Sequence, residues 1–127
     1  MTDHGHFCWN ELMTRDVESA KAFYSDTIGW QFNGMDDPEG GTYWIAMDGD
    51  QPVAGICDIS GPMFDGIPPQ WKPYLAVDDV DARVEKAVQA GAKIIKSAFD
   101  IPGVGRIIML EDAGGAGIGW MTPAEQS

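Results

Sequence analysis

The chain has 127 residues, 44% of them hydrophobic, and a formal charge of −12 from 20 acidic and 8 basic side chains. That length suits one domain with a real core, and the apolar share, with five tryptophans, excludes a disordered chain. The acidic surface repels phosphate backbones, which argues against nucleic acid as a partner, and no apolar run approaches the roughly 20 residues that span a bilayer.

The N-terminal stretch MTDHGHFCWNELM has no basic region ahead of its apolar residues, so it is a poor signal peptide and the expected location is cytoplasmic. There Cys8 and Cys57 are expected as reduced thiols packed like small apolar residues. Phe7 to Thr14 predicts a strand with imperfect alternation, placing Phe7, Trp9, Glu11 and Met13 on one face. A helix follows from about Asp16 to Thr27, with Val17, Ala20, Phe23, Tyr24 and Ile28 along one side and Gly29 just past its end. Trp30 to Asn33 opens a strand, DDPEGG turns, TYWIAMD is a strand, and PVAGICDIS is another.

GPMFDGIPPQ, residues 61–70, is a linker by composition and flexible in that sense. The pattern then returns. WKPYLAV is a strand, and Asp78 or Asp79 caps a helix that runs to about Ala90 with Val80, Val84, Ala87 and Val88 inward. AKIIKSAFD, RIIMLE and IGWMT complete the set. The halves register at an offset of 63 residues, which lays Asp16 and Val17 over Asp79 and Val80, and Leu12 over Leu75. The expected fold is therefore α+β, a single domain of two βαβββ modules at about residues 5–60 and 71–122. Their mixed sheets are expected to pair and curve around a cleft, with one helix per module outside.

The stretches ELMTRDVESAKAFYSDTIGW, YLAVDDVDARVEKAVQAGAKI and GRIIMLEDAGGAGIGWM resemble the vicinal oxygen chelate proteins. That group contains glyoxalase I, bleomycin-resistance proteins, fosfomycin-resistance enzymes, methylmalonyl-CoA epimerase and extradiol dioxygenases. The resemblance covers roughly residues 5 to 122. It implies the glyoxalase/bleomycin-resistance-like fold and, in the enzymes, one divalent metal held by His or Glu from the first and last strand of each module. Aligned on the Asp-Val helix start, the four ligand positions fall on Trp9 and Lys72 in the first strands and on or beside Gly55 and Gly119 in the last. Indole, ammonium and glycine do not ligate such metals, so no metal site or cofactor is expected; a divalent metal at relocated ligands is the alternative.

The remaining candidates each admit two roles. Glu11 shares a strand face with Trp9, and suits acid–base work or polar selectivity toward a ligand; the other role is a salt bridge, with Lys72 or Arg106 as the neutralising base, or a place at the rim. Tyr74 is its counterpart in the second half, either a hydrogen-bonding group for a ligand or a core tyrosine with its oxygen at the rim. Trp9 and Trp44 are the tryptophans best placed for an aromatic pocket; Trp71 and Trp120 alternate away from it, and Trp30 belongs to the core. His4, His6 and Cys8 alternate at a spacing that suits a soft metal, but on the face opposite Trp9. PGVG and DAGGAG are hairpin turns rather than phosphate cradles.

The expected activity is binding of a small organic molecule, aromatic or cationic, in an aromatic cleft. Its ligand-binding set is Trp9, Glu11, Trp44, Gly55, Lys72, Tyr74 and Gly119, with the two glycines leaving room where metal ligands would stand. The alternatives are a lyase or isomerase that uses Glu11 as its base, and an interaction protein whose modules mainly pair. A homodimer is expected, with modules paired within one chain or exchanged between two.

Overall fold

A computed structural model describes residues 4–37 and 41–124. Eight strands and two α-helices follow in the order β1 (Phe7–Thr14), α1 (Val17–Thr27), β2 (Gln31–Asp36), β3 (Thr42–Asp48), β4 (Gln51–Asp58), β5 (Gln70–Ala76), α2 (Val80–Gln89), β6 (Lys93–Ile101), β7 (Gly105–Glu111) and β8 (Gly117–Pro123). The expected strand and helix succession is present in both halves. Part of the DDPEGG turn lies outside the described residues.

The chain divides into two compact units. One is Asn10–Trp71; the other runs from Lys72 onward and includes the described residues ahead of Asn10. In the first unit the strands lie in the order β2-β3-β4-β1, with β1 and β4 parallel and the other pairs antiparallel. In the second the order is β5-β8-β7-β6, again with the first and last strands of the module, β5 and β8, parallel and adjacent. The duplicated sequence thus gives one topology twice.

The helix ends follow from single residues. Asp16 accepts a hydrogen bond from the Ser19 amide at 3.0 Å, and Asp79 accepts one from the Ala82 amide at 3.2 Å, each satisfying an orphan donor of the first turn. Gly29 and Gly91, at φ +88° and +102°, carry the chain out of the helices through a conformation that side chains resist.

The two helices pack differently. Val80 and Ala87 of α2 are buried against Val77, Ile108 and Leu110, with Ile118 and Trp120 packed alongside. Val88, expected inward, is exposed. No residue of α1 is buried, and Phe23 is 57% exposed. The α1 stripe carries two aromatic rings, Phe23 and Tyr24, which meet edge to face instead of inserting. Tyr24 lies 4.9 Å from Phe23 and 5.2 Å from Trp30, ring centre to ring centre. The Trp71 indole donates to the Tyr24 hydroxyl at 3.1 Å. Trp30, expected in the core, therefore belongs to a partly exposed aromatic cluster. Cys57 is buried as expected, and Cys8 is exposed. Among the described residues no helix is long and apolar enough to cross a membrane.

The linker is more ordered than its glycines and prolines suggest. Pro62–Phe64 forms a short 3-10 turn, Phe64 is buried, and the Arg15 guanidinium donates to the Phe64 carbonyl at 3.1 Å. One apolar anchor among turn residues fixes the segment. Phe64→Ala is expected to lower stability by about 3–5 kcal/mol in urea denaturation, since the site leaves a ring-sized cavity.

Asp78, just ahead of α2, is gripped by Arg83 through two bonds of 2.8 and 2.9 Å. That hydrogen-bonded guanidinium holds the Asp78 carboxyl down at about 2, against an ordinary value of 3.8. The depressed folded value means that the pair stabilises the fold fully above the ordinary value and stops doing so as pH falls toward the folded one. Acid titration of stability should therefore show a loss between pH 3.8 and about 2 that Arg83→Met reduces.

Candidate functional site

Each unit has one sheet face covered by its helix and one that its helix does not cover, and strand register decides which side chains reach which. In the first unit Leu12, Ile56 and Trp44 lie in one cross-strand row. The Lys21 ammonium of α1 sits 3.4 Å from the Trp44 ring centre, so this row faces the helix. The adjacent row, Glu11, Gly55 and Ile45, faces the other way. Tyr43, two residues from Ile45, shares that side.

There the tyrosine and the glycine form one device. A Cβ on Gly55 would overlap the Tyr43 phenol, so the hydroxyl end of the ring occupies the space over the bare glycine backbone. The Tyr43 hydroxyl donates to the Glu11 carboxylate at 2.8 Å, and both side chains are buried, Glu11 completely. A charge-assisted bond inside the protein is shorter and stronger than a neutral one, and it offsets part of the desolvation of the carboxylate.

The second unit repeats the device with different parts. Ile108, Leu110 and Trp120 face α2, and the alternate row, Tyr74, Gly119, Met109 and Lys96, faces away. Tyr74 is fully buried, and its ring covers Gly119 as Tyr43 covers Gly55. Lys72, 4% exposed, reaches across its neighbour strand, with its ammonium 3.0 Å from where a Gly117 Cβ would stand. Lys96, 6% exposed, holds its ammonium 4.5 Å from the Phe99 ring centre, a cation–π contact. The faces free of helix thus carry buried ionisable side chains: Glu11 in one unit, Lys72 and Lys96 in the other.

The structure sorts the predicted residues. Glu11 and Gly55 come together in the first unit, and Lys72, Tyr74 and Gly119 in the second. Trp9 is buried in β1. Trp44 does not join Glu11, because the parity of β3 turns it to α1 and brings Tyr43 instead. Gly55 and Gly119 do not leave open room, because the chain's own phenols fill it. Trp71 and Trp120 point elsewhere, as alternation required. Arg106 pairs with Asp81 at 3.1 Å and Asp100 at 3.3 Å.

Tyr43 and Lys96 were not singled out by sequence. The parity of TYWIAMD, with Gly55 opposite, is the signal that finds Tyr43. Nothing comparable exists for Lys96, because β6 breaks register on both sides of it.

These residues do not fit the divalent metal that the family resemblance implies. The four inherited positions hold an indole, an ammonium and two glycines under tyrosine rings, and none of these is a donor for a hard or borderline cation. Among the described residues no group of three or more His, Cys, Asp or Glu side chains converges on a point. His4, one of the alternating trio near the N-terminus, uses its Nδ1 to accept the Asp78 amide at 3.0 Å.

Comparison with known proteins agrees with this architecture. Residues 5–119 match the sequence model of the Glyoxalase/Bleomycin resistance protein/Dioxygenase superfamily. The chain belongs to that superfamily. It is 37% identical over 126 residues to a protein of Mycobacterium tuberculosis named as a glyoxylase, CFP32, with 99% of this chain and 47% of that protein covered. It is 30% identical over 119 residues to the anthracycline biosynthesis protein DnrV of Streptomyces peucetius, with 85% of this chain and 43% of that protein covered. The chain thus spans about half the length of these curated relatives. Among solved structures, methylmalonyl-CoA epimerase of Mycobacterium tuberculosis superposes with a TM-score of 0.62 at 20% identity, covering 94% of this chain and 89% of that one. A variant of the Streptomyces coelicolor epimerase gives 0.67 at 14%, covering 97% and 100%. These likenesses establish the shared fold.

Two substitutions test the device. Gly119→Ala pushes a methyl into the Tyr74 ring and is expected to destabilise by about 1–3 kcal/mol, with partial recovery in the Gly119→Ala/Tyr74→Leu double variant. Tyr43→Phe leaves the Glu11 carboxylate short of a donor and is expected to lose about 1.5–3 kcal/mol by denaturant titration.

Proposed function

We propose that this protein binds a small organic molecule on the sheet faces its helices leave bare, and does so without the divalent metal typical of its superfamily. The observation that carries this reading is the buried Glu11–Tyr43 hydrogen bond laid over Gly55. It puts an oriented carboxylate and phenol where a metal ligand would be expected. A buried, preorganised polar group surrounded by apolar and aromatic side chains is how small-molecule sites achieve orientation and selectivity. Tyr74 and Lys72 offer the corresponding phenol and cation in the second unit. The relatives named for anthracycline biosynthesis support an aromatic ligand, and the carboxylate of Glu11 supports a cationic or hydrogen-bond-donating group on it.

Elemental analysis of protein purified without chelators, followed by prolonged EDTA dialysis, tests the metal-free claim. The expected result is substoichiometric divalent metal and an unchanged melting temperature after dialysis. One equivalent of Mn, Ni, Zn or Fe, removed with a loss of stability, would overturn it.

One observation favours a second reading, an isomerase or lyase. Glu11 is completely buried and oriented by the Tyr43 hydroxyl, as suits a general base that takes a proton from a carbon acid and returns it. Screening native protein by mass spectrometry for a retained small molecule supplies the ligand. Glu11→Gln should then weaken binding if Glu11 only recognises it. If Glu11 is the base, binding survives and turnover falls by about 10²–10⁴-fold.

A further inference from the structure

A cavity on the opposite side of the second sheet is unconnected with these residues. It lies between the end of α2 and the β7–β8 turn, has a volume of about 140 Å³, and is walled by Ala87, Ala90, Ala92, Ala113, Leu110 and Trp120, with Asp112 at its edge. Four of those walls are alanines. Any larger residue there would fill the space, so the hollow exists because the side chains are short. Its volume is far below that of a drug-sized site and close to what a single six-membered ring requires.

The edge carries charge of one sign. Asp112 organises the β7–β8 turn through Oδ1, which accepts the Gly114 amide at 2.9 Å and the Ala116 amide at 3.0 Å. Both bonds use the same oxygen, and the other carboxylate oxygen accepts no hydrogen bond from the described residues. The C-terminal end of α2 closes the other side through its cap residue Ala90, and its last carbonyls accept from the Ala90, Gly91 and Ala92 amides. Inside, the lining is apolar, and Trp120 presents an aromatic wall. Anionic molecules are repelled here, and a neutral ring gains only apolar contact. An ammonium next to a ring gains both the contact and the carboxylate.

We propose that this cavity is a second ligand site, taking a monoamine with one aromatic ring: the ring among the alanines against Trp120, the ammonium on Asp112. The site is separate from the Glu11–Tyr43 device and stands whether or not that device binds a ligand.

Benzylamine is the probe, titrated into isotopically labelled protein while the Trp120 indole and Ala113 methyl resonances are followed. Saturable shifts at both are expected, with a Kd of about 0.1–5 mM for so small a ligand. Ala113→Leu fills the hollow and should weaken binding about tenfold or more; Ala90→Leu fills it from the helix side and replaces the first variant if that one does not fold. Asp112→Asn keeps the Oδ1 acceptor, and with it the turn. It should weaken benzylamine about fivefold or more while leaving the shifts from benzyl alcohol unchanged. The proposal is overturned by any of three results: no saturable shift in the unmodified protein at about 20 mM, shifts that survive the filled cavity, or an affinity for benzylamine that Asp112→Asn does not change.

Discussion

A phenol ring resting on a glycine is the contact from which the rest of each unit's interior follows. The βαβββ topology makes the first and last strands of a module parallel neighbours, so a residue on the last strand lies beside the first strand's inward side chains. At Gly55 and Gly119 that place is empty of side chain, and an aromatic ring descends onto the backbone. Each ring brings a hydroxyl into the interior. In the first unit the hydroxyl meets Glu11, whose buried carboxylate is tolerable because a donor is fixed within 2.8 Å.

The duplication is one of topology more than of parts. The ring over Gly55 comes from β3 and the ring over Gly119 from β5, so two different strands arrive at the same solution. The position that holds Glu11 in one half holds Tyr74 in the other, which exchanges the acceptor for a phenol. The helices diverge as well. α2 inserts small aliphatic residues into a sheet-backed core, whereas α1 keeps its aromatics near the surface, where Tyr24 gathers Trp30 and Trp71. Sharing a fold therefore did not oblige the halves to share an interior, and the chemistry has to be read from each unit separately.

Much of the architecture was legible because it is written locally. Asp16 and Asp79 announce helix starts, Gly29 and Gly91 announce helix ends, and the 63-residue offset shows that the second half repeats the first. The side-chain assignments were harder, because strand parity turns on a single residue. Reading TYWIAMD for its tryptophan put Trp44 where Tyr43 stands, a one-position difference that moves a side chain to the opposite face. Lys96 was hidden by register irregularities in β6 that no alternation rule anticipates. Phe64 was hidden differently, as one buried ring in a segment whose composition speaks only of turns. The residue types at Trp9, Lys72, Gly55 and Gly119, by contrast, are read directly from the sequence, since none of them carries a donor for a hard or borderline cation.

The ring over Gly119 also bears on the history of the chain. A histidine or glutamate introduced at that position would collide with Tyr74, and shrinking Tyr74 first would hollow out a fully buried site. Either order of change passes through a weakened intermediate, so the two positions are locked together by epistasis. Such a pair acts as a ratchet: placing a larger side chain there without loss demands simultaneous replacement of both partners.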